Sequence, residues 1–498
     1  MVRSGRQSGQ MVRGRLLQRS WLGLFMMVML SGCAGGDSPF STPKPVQVPG
    51  SAPVTTSNEM SFDQEHQRLV TLFGGEYYHA PAERLLNEVL QRLANAAEVK
   101  TEPYRLTLLN SAVVNAFALP SGRIYVTRGL LALANDTSEV AAVMAHEIAH
   151  VTAKHASQRA ELEKDSALVS KAASIIQNPE KGQEVQAYRR LTLASFSRAQ
   201  EFEADRLGVA NMARAGYDPY GAARFLTSLG YSATMRASLI GQVKDSARPD
   251  ILASHPSTPE RIREAINAAR QIAAPDSGEQ GHDAYLAAID GIVFGDDPSE
   301  GVIRANQFIH PKLGFTFSAP AGFVLENSSQ ALLGISSGGV DSLRLDSVQV
   351  PVNSSLETYV RSGWIDGLDE RSVVAGSVND LPAVFAVARD SIWTFKLAVI
   401  RFDNDVYRLI FATKNLTPEV DQRFSAALGS FRRISPQEAA AVKPLKISVV
   451  RASAADNFAS MAARMAGPDH SEDYFRLLNG LSEINHLQAG MSYKMISE

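Results

Sequence analysis

The chain has 498 residues, 45% hydrophobic and 20% charged, the balance of ordinary globular protein and enough length for about two to four domains, each with a real core. A formal net charge of -3, with sparse local clusters of Lys and Arg, excludes the basic field that nucleic-acid partners require.

In chain order, Arg3, Arg6, Arg13, Arg15 and Arg19 precede the apolar run WLGLFMMVML, which is too short and too abruptly ended to span a membrane as a mature helix. It predicts a secretory signal over 1–32. The run closes on Leu30-Ser31-Gly32-Cys33, which resembles the lipobox of bacterial lipoproteins. That resemblance implies that Cys33, the chain's only cysteine, is lipidated as the first mature residue and that the protein has no disulfide. Ala34 after it implies the periplasmic side of the outer membrane as the address. Residues 33–61, rich in Pro, Ser, Gly and Thr, read as a flexible tether.

A first folded region is expected over 62–273. PAERLLNEVLQRLANAA opens on a proline and spaces Leu85, Leu86, Val89, Leu90 and Leu93 along one helical face. YRLTLLN, VVNAFALP and GRIYVT read as strands of a small sheet. Asp136 and Glu139 then predict a capping box and a largely apolar, buried helix from about Ser138 to Ala156. The Ala-, Ser- and charge-rich stretch from Ser157 to Phe196 reads either as a mobile lid or as a plain helical hairpin. A connector over 274–307 leads to a smaller α+β domain over 308–436, where GFTFSAP, PAVFAVARD and TFKLAVIRFDNDVYRLIFAT alternate or cluster apolar residues in strand fashion. Residues 443–498 order as strand, helix, helix, strand and resemble a LysM module. No 34-residue tetratricopeptide period is present.

The chemistry concentrates in AAVMAHEIAH. His146 and His150, four apart on a helix, share a face and can converge on one ion. Catalytic zinc takes three protein ligands and acidifies water, and Glu147 stands beside it, placed to take the water's proton and pass it to a leaving amine. The downstream segment SRAQEFEADRLG offers Glu201 and Asp205, four apart on one face, whereas Glu203 points elsewhere. One of the pair can bind zinc while the other orients a histidine. His155 reads equally as a supporting residue of the metal site and as an ordinary helix residue. His66, His79, His282, His310, His470 and His486 lack ligand-like spacing and read as surface or packing residues.

H-E-x-x-H followed by E-x-x-A-D resembles metallopeptidase family forty-eight, the gluzincins. The resemblance covers about residues 65–270 and implies an α+β, mainly helical protease domain with a small sheet. It implies one zinc per chain held by His146, His150 and Glu201, with Glu147 as catalytic base and Asp205 supporting a ligand. NAFALPSGR resembles the family's substrate-pairing edge strand, which makes Asn115 a substrate-binding residue, although Ser121 replaces a family glycine. SHPSTPERI resembles its H-P-x-x-x-x-R element, so His255 and Arg261 either stabilise the oxyanion, or His255 swings onto the metal and silences it. The expected function is a lipid-anchored zinc endopeptidase acting on unfolded or misassembled envelope proteins, its C-terminal segment near peptidoglycan. Two alternatives stay open: a zinc-containing chaperone or binding module, and a peptidoglycan-directed peptidase.

Overall fold

The computed structural model describes residues 62–97, 104–158, 196–240, 255, 258–275, 277–336, 338–467, 471–482 and 485–498. The expected signal, Cys33, the tether and most of the stretch between Ser157 and Phe196 lie outside the described residues. The architecture is α+β, with helices and several sheets in alternation. Among the described residues no helix is long and apolar enough to cross a membrane.

The helix Ala80–Ala96 begins where expected, with a proline in its first turn and His79 accepting from the Ala82 amide. Leu86, Val89, Leu90 and Leu93 form its buried stripe. The three expected strands form one sheet in the order Arg105–Leu109, Arg123–Thr127, Ala116–Ala118, the first pair parallel and the second antiparallel. Ala116–Ala118 is therefore an edge. The turn into Arg123–Thr127 takes its left-handed residue at Gly122, φ +80°, so Ser121 meets no strain there.

The motif helix spans Thr137–Thr152, shorter than the sequence predicts. Asp136 caps it by accepting from the Glu139 amide at 2.9 Å, while the Glu139 carboxylate reaches one residue further back, to the Asn135 amide at 2.9 Å. It packs against the helices Arg198–Arg214, Gly221–Ile240 and Ala80–Ala96. Its contact with Arg198–Arg214 is close because Gly208 faces it: a Cβ at that position would lie 3.1 Å from the His146 amide nitrogen.

The chain then builds a seven-stranded antiparallel sheet over residues 323–413 and a four-stranded sheet that includes Phe315–Ser318 and Gln307–His310. The strand Asp405–Thr413 shows why this region reads as a nearly continuous apolar run: Tyr407, Leu409 and Phe411 enter one core and Val406, Ile410 and Ala412 another.

The C-terminal segment has the expected order of elements: strand Leu445–Arg451, helices Phe458–Ala462 and Ser471–Leu478, and strand Ser492–Ser497 paired antiparallel with the first. Val293–Phe294, from the stretch read as a connector, adds a third strand to that sheet. Ile447, Leu478 and Ile496 belong to the same core as Leu86 and Met144. Lys494, fully buried, donates to the carbonyls of Ala132 (2.8 Å) and Ala134 (2.5 Å) just before the motif helix.

Candidate metal centre

The motif helix delivers His146 and His150 from adjacent turns, and the helix Arg198–Arg214, capped by Ser197 with Gln200, delivers Glu201 one turn from its start. His255 arrives from outside both helices. The four side chains each offer a donor atom, and these atoms lie within 4.8 Å of one another. His146 Nε2 is 3.0 Å from His150 Nε2 and 3.2 Å from His255 Nδ1, and Glu201 Oε1 is 2.9 Å from His255 Nδ1 and 3.5 Å from His150 Nε2.

These spacings fit a zinc ion. Bonds of about 2.0–2.1 Å arranged tetrahedrally put ligand atoms about 3.3 Å apart. The proton inventory leads to the same place. His146 Nδ1 is 3.0 Å from Asp205 Oδ1, off the line of a good hydrogen bond, and with its proton drawn toward that carboxylate it leaves a bare lone pair on Nε2 facing the other donors. Lone pairs brought this close in a buried site need a cation between them.

Charge around the centre is arranged to keep the donors ready. Burial, with His146 beside it, pushes the His150 pKa down and keeps that ring neutral. Burial alone would raise the Glu201 carboxyl, but hydrogen bonding to His255, with His146 and the Arg261 guanidinium close by, outweighs it and holds it ionised. Asp205 is likewise opposed by burial, yet the Arg261 and His146 hydrogen bonds bring it to about 2. Glu147 differs. Burial first, and the Glu201 charge after it, raise the Glu147 carboxyl to about 7, partly offset by His146 and a backbone hydrogen bond from Ala118 on the edge strand. Its Oε1 is buried with no hydrogen-bond partner, an acceptor left for something else.

The sequence-predicted residues His146, Glu147, His150, Glu201, Asp205, His255 and Arg261 thus come together. Arg261, read from the sequence as an oxyanion stabiliser, spends its guanidinium on two carboxylates: Nε and Nη2 donate to Asp205 at 2.7 and 2.6 Å, and Nη1 lies 2.8 Å from Glu201 Oε2. Asn115 sits one residue before the edge strand, buried, its amide donating to Thr127 Oγ1 at 3.0 Å. Of the histidines set aside, His282 bridges the Asn135 and Ser492 carbonyls, and His66 meets the Tyr125 hydroxyl. Sequence reasoning missed Phe196, whose ring stacks on His150 with centroids 3.8 Å apart. No periodicity links it to either metal helix.

A helix presenting H-E-x-x-H to a glutamate on a second helix defines a mononuclear metallopeptidase centre. Residues 81–269 match Peptidase family M48, whose members use zinc, and the donor set His146, His150, Glu201 and His255 lies within that match. Among curated relatives, the Beta-barrel assembly-enhancing protease of Escherichia coli (strain K12) is 30% identical over 213 residues, 41% of this chain and 42% of that protein. The Putative beta-barrel assembly-enhancing protease of Vibrio cholerae serotype O1 is 32% identical over 204 residues, 38% of this chain and 40% of that one. The Mitochondrial metalloendopeptidase OMA1 of Arabidopsis thaliana is 30% identical over 188 residues, 36% of each chain. The chain spans less than half the length of these relatives.

Proposed function

We propose that this protein is a zinc-dependent endopeptidase in which His146, His150 and Glu201 hold the metal and Glu147 is the general base. The observation that carries the reading is the meeting of that donor set with a buried carboxyl at about 7 that touches the sheet edge through Ala118. Zinc, when bound, polarises the scissile carbonyl and acidifies water. Glu147, poised near neutrality, takes the proton from the attacking water and delivers it to the leaving amine. The outward side of Ala116–Ala118, an edge strand whose start Asn115 anchors, pairs with an extended peptide. Arg261 and Asp205 hold His146 and Glu201 in place.

His255 supplies a fourth donor, and four protein ligands close a coordination sphere that a peptidase needs open. We read this arrangement as a resting state that His255 must leave before substrate enters. The same closure is what favours the competing reading, a structural zinc in a chaperone or binding module.

The cellular part of the proposal is a lipoprotein anchored through Cys33 on the periplasmic side of the outer membrane, acting on unfolded or misassembled envelope proteins. It draws support from the lipobox-like sequence and from relatives named for β-barrel assembly. The C-terminal segment is read as LysM-like, holding the enzyme near peptidoglycan, on the strength of its strand, helix, helix, strand order.

The test compares wild type with E147Q, H255A and the double variant for zinc content and cleavage of unfolded casein. One zinc per chain, cleavage abolished by E147Q and increased by H255A support the peptidase and its latch. Zinc without cleavage in any form overturns the peptidase reading for protein substrates, and cleavage of muropeptides instead would redirect it to peptidoglycan.

A further inference from the structure

His155 lies five residues beyond His150. On an uninterrupted helix that separation is about 140° around the axis, and the two rings would face different ways. The motif helix stops before that happens. Ala153 closes it and Lys154 adopts φ +56°, the left-handed region that a residue with a Cβ enters only at a cost. The chain is thereby turned back, and His155 is buried completely with its Nδ1 2.9 Å from His150 Nδ1. On its other side, His155 Nε2 lies 3.4 Å from Oε2 of Glu203, the half-exposed carboxylate two residues past Glu201.

One proton arrangement satisfies every contact. For His150 to offer the Nε2 lone pair to a metal, its proton must sit on Nδ1, which then donates to Nδ1 of His155. His155 must in turn carry its proton on Nε2, where it donates to the Glu203 carboxylate. Phe196 stacks on the His150 ring, so one face is packed and the edge is held. An apolar side chain in place of His155 would fill the same space without the desolvation cost of a buried imidazole, and a continuous helix would avoid the strained residue at 154.

We propose that His155 and Glu203 are positioning residues for the metal ligand His150, a two-step counterpart of the single step by which Asp205 holds His146. The proposal rests on the zinc reading above. It assigns the relay two tasks: fixing the His150 tautomer and aiming its ring.

The test uses the purified full chain and zinc itself, with affinity read by competition against a chromogenic chelator and thermal stability of the zinc-free forms measured alongside. H155N and H155L replace the ring with side chains of nearly equal size, of which only the amide can accept from His150 Nδ1. H155L is expected to weaken zinc about tenfold or more, the usual consequence of losing a ligand's hydrogen-bond partner, while H155N recovers most of it. E203A, at a half-exposed position, should weaken zinc about threefold, because its link is longer. Zinc affinity unchanged in H155L, or lowered equally in H155L and H155N, overturns the relay. If H155L fails to fold, E203A decides: wild-type affinity there refutes the proposal. Wild-type protein that takes up no zinc would sink the metal centre and the relay together, whereas zinc-loaded wild type with unaffected variants sinks the relay alone.

Discussion

Arg261→Met removes a guanidinium that reaches two buried carboxylates of the metal centre, with contacts of 2.6, 2.7 and 2.8 Å. In the zinc-free protein Asp205 and Glu201 would then be left without their cation, and Glu147 stands nearby. Asp205 sets the scale, since burial raises its carboxyl and the Arg261 hydrogen bond is the largest of the contributions that outweigh it, with His146 supplying the rest. It titrates at about 2 against an ordinary 3.8, a gap equivalent to about 2 kcal/mol of stabilisation. The sign is that of a depressed carboxyl: this stability is present above pH 3.8 and is lost as pH falls through about 2. Adding Glu201, and taking about 3–5 kcal/mol as the usual cost of breaking a buried pair from one side, R261M should destabilise the zinc-free protein by about 4 kcal/mol. Zinc would restore positive charge beside both carboxylates, so the loss in the loaded form should be smaller. Urea unfolding followed by far-UV circular dichroism, with and without chelator, measures both. R261K should fall between, because an ammonium replaces the charge without the two-pronged geometry. A zinc-free R261M within 1 kcal/mol of wild type, or an equal loss in both forms, would refute the argument that Arg261 serves the carboxylates rather than the helix it sits on.

Lys494→Met should destabilise the protein by about 3 kcal/mol, since the carbonyls of Ala132 and Ala134 lose their buried donor; a melting temperature unchanged from wild type would contradict this. Gly208→Ala places a methyl 3.1–3.3 Å from the backbone of His146 and Ala145, forcing the two metal helices apart by a few tenths of an ångström, and should cost about 1 kcal/mol and weaken zinc measurably in the same chelator competition. His310 is buried and held at about 4, so its neutral form is favoured on folding, and the protein loses stability as pH falls from 6.5 to about 4. H310N, which keeps an acceptor for the Leu313 amide, should remove about 2–3 kcal/mol of that loss. Trp364 and Trp393, in the other core that the strand Asp405–Thr413 enters, report unfolding by fluorescence; an unchanged pH dependence in H310N would show that His310 is not the group responsible.

Much of the metal centre was legible because its chemistry is periodic. His146 with His150, and Glu201 with Asp205, are four apart on helices, and that spacing alone puts each pair on a shared face. What periodicity could not supply is wherever the chain departs from a helix. The sequence pattern runs the motif helix on to Ala156, and on that helix His155 would face away from His150; the stop at Thr152 and the left-handed Lys154 reverse the geometry without any glycine to announce it. Glu203 follows from the same error, since a residue that points away from the metal is idle only while nothing else approaches it, and His155 does. Arg261 was found by its motif and given an oxyanion role because a cation near a scissile bond suggests one; its partners depend on how the helix Pro259–Ile272 packs on Arg198–Arg214, a tertiary contact that no local pattern encodes. The C-terminal segment makes the same point at larger scale. Its order of elements was readable, but Val293–Phe294 pairing with Leu445–Arg451, and Lys494 reaching the carbonyls before the motif helix, join residues far apart in sequence. Those contacts make the segment part of the core that carries the motif helix, so any surface it offers to peptidoglycan is carried on the body that positions His146 and not on a detachable tail.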